Sequence, residues 1–227
     1  MTTSKTALII GASRGLGLGL VQRLHEDGWK VVATVRDPAK AKDLAALPDV
    51  QVETLEMNSG EQIDALQQRL QGQVFDLLFV NAGVMGPGDQ NAERAKLADV
   101  GDLFLTNAVS PIRVAQRLAP QLRDRHSVLA FMSSILGCVA IPDGSEMCLY
   151  KASKAALNSM INSYVTLQQP SYTVLAMHPG WVKTDMGGEN AEIDVLTSTR
   201  GMRDQINANA GKGGLHFINY KGETLVW

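Results

Sequence analysis

The stretch Thr6-Ala7-Leu8-Ile9-Ile10-Gly11-Ala12-Ser13-Arg14-Gly15-Leu16-Gly17 decides how this chain folds. Its first half is a short apolar run that reads as a buried strand, and 16–27 reads as a helix ended by Gly28. Between them, glycines let the backbone turn tightly and approach a ligand. The helix start offers free N–H groups and the positive end of a dipole, which together suit a pyrophosphate. The spacing is GxxxGxG, not the GxGxxG of the dinucleotide fingerprint. A plain glycine-rich turn is the alternative, and the position directly after the first strand favours nucleotide binding.

Working outward, further strands are expected at 30–35, 51–56, 75–80, 127–132, 173–178 and around 215–218. Helices are expected between them: an amphipathic one at 60–71 with Ile63, Leu66 and Leu70 on one face, and another at 196–209. Residues 93–123 read as helix in two pieces meeting near Thr106-Asn107, and Ile135–Met147, carrying Gly137, Pro142 and Gly144, reads as loop. Strands alternating with helices predict an α/β, doubly wound parallel sheet of Rossmann type, covered on both faces. No linker divides the chain, so residues 1–227 are expected to form a single domain. The 45% hydrophobic and 19% charged fractions are those of a soluble protein, and the formal charge of −2 carries no basic block for nucleic acid or an anionic membrane. Two cysteines, Cys138 and Cys148, lack metal-ligand spacing; no metal is expected, and a reducing cytoplasm fits. There is no apolar run long enough to span a bilayer and no signal-peptide pattern.

The second strand ends on Val35, which offers no carboxylate, and Arg36-Asp37-Pro38 follows. Asp37, twenty residues beyond Gly17, leaves an NAD reading open, but before Pro38 it has the arrangement of a helix N-cap, whereas Arg36, with Arg14 in the glycine turn, favours the extra phosphate of NADP. Downstream, Tyr150 and Lys154 stand four apart in Leu149-Tyr150-Lys151-Ala152-Ser153-Lys154-Ala155-Ala156-Leu157, a run of strong helix propensity. That spacing puts both side chains on one helix face. A lysine beside a phenol favours the phenolate, giving an acid-base group usable near neutral pH. A lone YxxxK is more often a solvated surface pair. Here a nucleotide turn and Ser133-Ser134 at a strand's carboxyl end accompany it, where doubly wound sheets put their ligands.

An ordered set of motifs spans the chain: GASRGLG at 11–17, NAG at 81–83, Asn107, Ser133-Ser134, YKASK at 150–154 and HPGWVKT at 178–184. In these the sequence resembles the short-chain dehydrogenase/reductase family of classical type. SSILG at 133–137, HPGWVKTDMGG at 178–188 and the closing YKGETLVW are most similar to the sniffer and C-factor type carbonyl reductases. The resemblance implies a catalytic set of Asn107, Ser134, Tyr150 and Lys154. Ser134 would stabilise charge on the carbonyl oxygen, Tyr150 would transfer the proton, and Lys154 would lower the phenol and hold the nicotinamide ribose. Asn107 would anchor a water leading to Lys154. It implies cofactor contacts from Gly11, Ser13, Arg14, Gly15, Leu16, Gly17, Arg36, Asn58, Asn81, Ala82, Gly83, Pro179, Gly180, Val182 and Thr184. Asn58 stands where the family more often has aspartate, and Ile10 replaces a threonine that often precedes the turn. His178, directly before Pro179 at a strand end, reads as structural.

The expected activity is hydride transfer between NADP(H) and a small-molecule carbonyl or alcohol, in a homodimer or homotetramer. The rival is an NADP-binding sensor or signalling protein with little turnover, an idea that the C-factor branch brings. Ile141, Met147, Cys148, Trp181 and Met186 are expected to line an apolar pocket, and 186–200, opening on Gly187-Gly188, to form a mobile lid. The alternative for that segment is a static helix start capped by Asp194 or Thr197. The arginine reading has a direct consequence. Arg36→Ala should weaken NADPH binding by about 1.5–3 kcal/mol, the worth of a charged hydrogen bond, and leave NADH nearly untouched. Fluorescence titration of both nucleotides measures this, and equal or tighter NADH binding by the unmodified protein overturns it.

Overall fold

The computed structural model describes residues 4–142 and 146–227. Seven strands, β1 (Thr6–Ile10), β2 (Lys30–Val35), β3 (Val50–Thr54), β4 (Leu77–Val80), β5 (Val128–Met132), β6 (Thr173–His178) and β7 (Leu215–Asn219), form one sheet in the order β3-β2-β1-β4-β5-β6-β7. Every neighbouring pair is parallel. The expected doubly wound architecture is therefore present. The order reverses between β1 and β4, and a crevice at such a switch point is where these sheets take ligands.

Side chains along the inner strands alternate between two apolar layers with the strand period of two. Leu8, Ile10, Leu78, Val80, Leu129 and Phe131 face one layer. Ala7, Ile9, Leu77, Phe79, Val128 and Ala130 face the other. The first layer is covered by α3 (Gly60–Arg69), α5 (Ser110–Leu118) and α6 (Cys148–Gln168), through Ile63, Leu66, Val114, Leu118, Leu157 and Ile161. The second is covered by α1 (Gly15–Glu26), the single-turn α2 (Lys42–Ala45) and α7 (Val195–Asn209), through Leu20, Leu24, Leu44, Met202 and Ile206. With both faces buried, the strands need near-continuous apolar runs, which is why their existence was easy to read.

Three expectations are corrected in detail. The helix expected over 93–123 begins only at Leu97, as α4 (Leu97–Phe104), and its two pieces are joined rather than broken: a π-turn, Leu105–Val109, carries α4 straight into α5. Strand β3 ends at Thr54, short of residue 56, because Gln62 and Asn58 tie the backbone and side chain of Glu56 into the turn before α3. Within the loop expected from Ile135 to Met147, residues Ile135–Gly137 form a turn of 3-10 helix and Gly144 lies outside the described residues. Asp37 accepts from the Ala39 N–H at 3.0 Å with Pro38 next to it, the capping arrangement the sequence indicated.

Candidate active site

Strand β5 ends at Met132, and the two serines that follow are sent to different partners. Ser133 donates to Asn158 Oδ1 at 2.6 Å and is thereby committed to α6. Ser134, extended at φ −154, accepts from the Leu136 N–H at 3.1 Å, capping the 3-10 turn, and its hydroxyl lies close enough to the Tyr150 phenol to favour the ionised form. The helix brings Tyr150 to this point because α6 starts at Cys148, putting Tyr150 in its first turn and Lys154 one turn later on the same face. Gly137 lets the 3-10 turn lie against that helix: a Cβ there would stand 2.9 Å from the Lys154 carbonyl carbon.

Both titratable groups are buried. The Lys154 ammonium donates to the Met132 carbonyl at 2.9 Å and lies 5.8 Å from the Tyr150 ring centroid. Burial pushes Lys154 down to about 8 and Tyr150 up to about 12, with the nearby Ser134 hydroxyl opposing the latter. The lowering of the phenol expected from Lys154 is thus not what dominates here. Lys154 directs its hydrogen bond at a backbone carbonyl, and desolvation outweighs what remains.

Asn107 sits in the π-turn and is 1% exposed, so it is neither solvated nor a cap. Its Oδ1 accepts from the Val84 N–H at 2.8 Å, and its Nδ2 donates to the Val84 carbonyl at 2.8 Å and to Ser153 Oγ at 3.0 Å. A Cβ on Gly83 would stand 3.3 Å from Asn107 Oδ1 and 3.5 Å from Lys154 Nζ, so only a side-chain-free residue leaves that approach open. Asn58 clamps the turn from outside: it donates to Thr106 Oγ1 at 2.9 Å and accepts from Ser110 Oγ at 2.8 Å.

The glycine turn fits a dinucleotide. Gly11 (φ +86) lies so close to Ala82 that a Cβ would meet it at 2.7 Å, and a Cβ on Gly17 would stand 2.1 Å from the Gly11 carbonyl oxygen. Asn81 Nδ2 donates to that same oxygen at 2.6 Å, so its amide secures the turn. Arg14 provides no side-chain cap for α1, so the helix has its first N–H groups to offer an anion, with Ser13 and Leu16 flanking and Thr184 facing Gly15. Arg36 is exposed past the end of β2, whereas Arg14 pairs with Asp185. That pair is about three-quarters exposed on both sides and is worth about 0–1 kcal/mol, too little to withhold Arg14 from a phosphate.

Beyond β6, Gly180 (φ +85) turns the chain where a Cβ would strike Ile193 at 2.7 Å. Pro179 accepts from Ser198 Oγ at 2.7 Å, and buried Val182 pairs with Ile193. Thr184 Oγ1 accepts from the Gly187 N–H at 3.1 Å, and Trp181 Nε1 donates to the Gly187 carbonyl at 2.8 Å. The expected lid over 186–200 is cut short: Asp194 accepts from the Thr197 N–H at 2.7 Å and α7 begins at Val195, with Ser198 and Thr199 fully buried. Burial pushes His178 down to about 4, so it is neutral at pH 7, in keeping with a structural reading. Ile141, Cys148, Trp181 and Met186 are exposed and Met147 is half-buried. Among the described residues, no helix is long and apolar enough to cross a membrane, and no cluster of His, Cys, Asp and Glu could hold a metal ion. Sequence reasoning passed over Ser153 and Asn158, although Ser153, three residues after Tyr150, carried a usable spacing.

The chain and its fold are similar to those of known proteins. The family described as short chain dehydrogenase matches residues 5–194. The C-signal protein of Myxococcus xanthus is 34% identical over 158 residues, covering 67% of this chain and 92% of that protein. A carbonyl reductase from Pseudomonas aeruginosa PAO1, crystallised in complex with NADP, superposes with a TM-score of 0.91 at 35% identity, over 99% of this chain and all of that one. The carbonyl reductase Sniffer of D. melanogaster superposes at 0.90 with 31% identity, over 99% of this chain and 100% of that one.

Burial of Lys154 leaves a signature in stability. Its folded value of about 8 lies below its ordinary 10.5, so between these pH values the unfolded chain binds the proton more tightly. The penalty is fully present below about 8 and fades as pH rises toward the unfolded value. Urea denaturation of the cofactor-free protein should therefore show it gaining about 2 kcal/mol between pH 8 and pH 10 relative to Lys154→Met. Parallel pH profiles for the two proteins would contradict a buried, proton-losing Lys154.

Proposed function

We propose that this chain, which belongs to the short-chain dehydrogenase family, is an NADP-dependent oxidoreductase that reduces an aldehyde or ketone to the alcohol and runs the reverse. The observation that carries the reading is the buried set of Ser134, Tyr150 and Lys154 at the carboxyl end of β5, in a sheet whose β1 opens into a dinucleotide-shaped glycine turn. NADP-bound carbonyl reductases of the same fold at 35% identity support the cofactor and the substrate class. Gly11, Ser13, Arg14, Gly15, Leu16 and Gly17 would cradle the pyrophosphate, with Arg36 and Arg14 at the extra phosphate. Asn58 would face the adenine, and Asn81, Ala82 and Gly83 would line the floor. Pro179, Gly180, Val182 and Thr184 would hold the nicotinamide end, and Tyr150 and Lys154 its ribose. When bound, the nicotinamide supplies or takes up hydride at the carbonyl carbon.

The chain's own residues handle the proton and the charge. Ser134 donates to the carbonyl oxygen as negative charge develops there. Tyr150, kept protonated by burial, gives that oxygen its proton in reduction and takes it back in oxidation. Lys154, positive below about pH 8, favours the phenolate that is left behind. Asn107 holds the loop after β4 against α6 and so fixes the wall beside Lys154; the remaining lone pair of its Oδ1 is available to a water. Residues 1–227 act as one NADP-binding domain, since all seven strands join a single sheet. Two free cysteines fit a cytoplasmic setting.

NADPH oxidation against a panel of aldehydes and ketones tests the reading. Tyr150→Phe should lose turnover by at least about a hundred-fold while NADPH affinity stays within a few-fold, because the phenol acts in the transition state. Near-normal turnover by that variant overturns the mechanism. NADPH binding without oxidation of any carbonyl would favour a signalling role, which the similarity to C-signal keeps in view.

The assembly is proposed to be a homodimer or homotetramer. Leu97 on α4 and Leu167 on α6 are large apolar side chains 87% and 79% exposed, which a second copy of the chain would cover. Light scattering should give a multiple of 24.5 kDa at micromolar concentration; the monomer mass overturns this.

A further inference from the structure

Gln90 lies outside every motif, in the loop between β4 and α4, yet it is buried and touches the helix that carries Tyr150. Its Oε1 accepts from the Tyr150 N–H at 2.9 Å. Its Nε2 donates to the Met85 carbonyl at 3.2 Å and the Pro87 carbonyl at 2.7 Å. Its own backbone carbonyl accepts from Cys148 Sγ at 2.7 Å. Only an amide can serve these partners, with an acceptor at one end and two donors at the other.

The first turn of α6 needs such a partner. The first N–H groups of a helix have no intrahelical acceptor, and Met147 offers no side-chain cap to replace one. Gln90 supplies one from more than fifty residues away, at the N–H of Tyr150 itself. On its other side it fixes Met85 and Pro87, while Asn107 fixes Val84 next to them. Two amides thus grip one loop, and the loop and the start of α6 are locked together at the residue that bears the phenol.

We propose that Gln90 is a positioning residue of the reductase site: as a long-range cap on α6 it sets the Tyr150 phenol against Ser134. This rests on the carbonyl reductase reading given above. The hydrogen bonds of the amide go to the Tyr150 N–H and to the Met85 and Pro87 carbonyls, so its influence on the reaction runs through the backbone of Tyr150 and the loop wall.

Gln90→Leu and Gln90→Glu in the NADPH-bound protein test it, with unmodified protein alongside at every pH. Gln90→Leu removes the cap and should lower kcat about ten-fold or more, with the NADPH dissociation constant within about two-fold. Gln90→Glu can still accept from Tyr150, but its second oxygen then faces two carbonyl oxygens and fits only when protonated. Among the described residues the charged neighbours are Asp89 and Arg94, which pair with each other, while the Cys148 thiol donates to the Gln90 backbone carbonyl. The Asp89 charge and the two facing carbonyl oxygens disfavour a further negative charge more than Arg94 and the α6 N-terminus favour one. The ratio of Gln90→Glu to wild-type kcat should therefore stand near one at about pH 5.5 and fall at least about ten-fold by about pH 8. A general loss of packing would not restore activity at acid pH. If Gln90→Leu fails to fold, the Gln90→Glu profile decides alone. Wild-type kcat in Gln90→Leu, or a Gln90→Glu profile parallel to wild type, overturns the proposal. A wild-type protein that reduces no carbonyl overturns the reductase reading instead.

Discussion

The hydrogen bond from the Lys154 ammonium to the Met132 carbonyl places a charge where only 3% of the residue meets solvent, with no carboxylate among the described residues paired to it. An ammonium buried with so little compensation costs several kcal/mol even after relaxation. The fold bears that cost in one spot, where β4, β5 and the first turns of α6 converge. Gly83 clears the approach to Nζ, Gly137 lets the 3-10 turn rest on the Lys154 backbone, and Ser153 ties the helix to Asn107. Each of these serves to keep an expensive side chain pointed at one place. A site that stores unfavourable electrostatics in this way is a familiar cost of function, since groups poised for proton transfer need shifted pKa values.

Much of this was legible from residues alone, for identifiable reasons. A parallel sheet buried on both faces writes its strands as short apolar runs, and β2 and β6 were read to the residue. Tyr150 and Lys154 were visible because a four-residue spacing on a helix is a local property. What escaped was long-range. Gln90 meets Tyr150 across 60 positions, and nothing in its neighbours signals the bond. Ser134 is assigned over Ser133 by the resemblance alone; the bond that commits Ser133 to Asn158 is a matter of packing against α6.

Several polar residues marked out as ligand contacts turn out to hold the protein to itself as well. Asn81 binds the Gly11 carbonyl, Asn58 binds Thr106 and Ser110, and Arg14 meets Asp185. Sequence reasoning treats such a residue as facing outward to the cofactor because the motif is defined by the cofactor. In the folded chain the same amide must also satisfy buried backbone groups, and an unsatisfied one costs about 1–3 kcal/mol. Asn58 shows this most clearly, because its inward bonds land on Thr106, next to Asn107, and on Ser110, the first residue of α5.

The π-turn at Leu105–Val109 has a geometrical consequence for the chain's tolerance of change. It slips one surplus residue into what is otherwise a continuous helical run from Leu97 to Leu118, and each residue of an α-helix advances the azimuth by about 100°. Across it Leu103 stays inward, Asn107 is aimed at Val84, and Ile112, Val114 and Leu118 stay buried. Removing a single residue here would rotate one half of the rod against the other, exposing either the amide or the apolar stripe. The length of this segment is therefore a fixed quantity, even where the identity of a residue such as Val109 is free to drift.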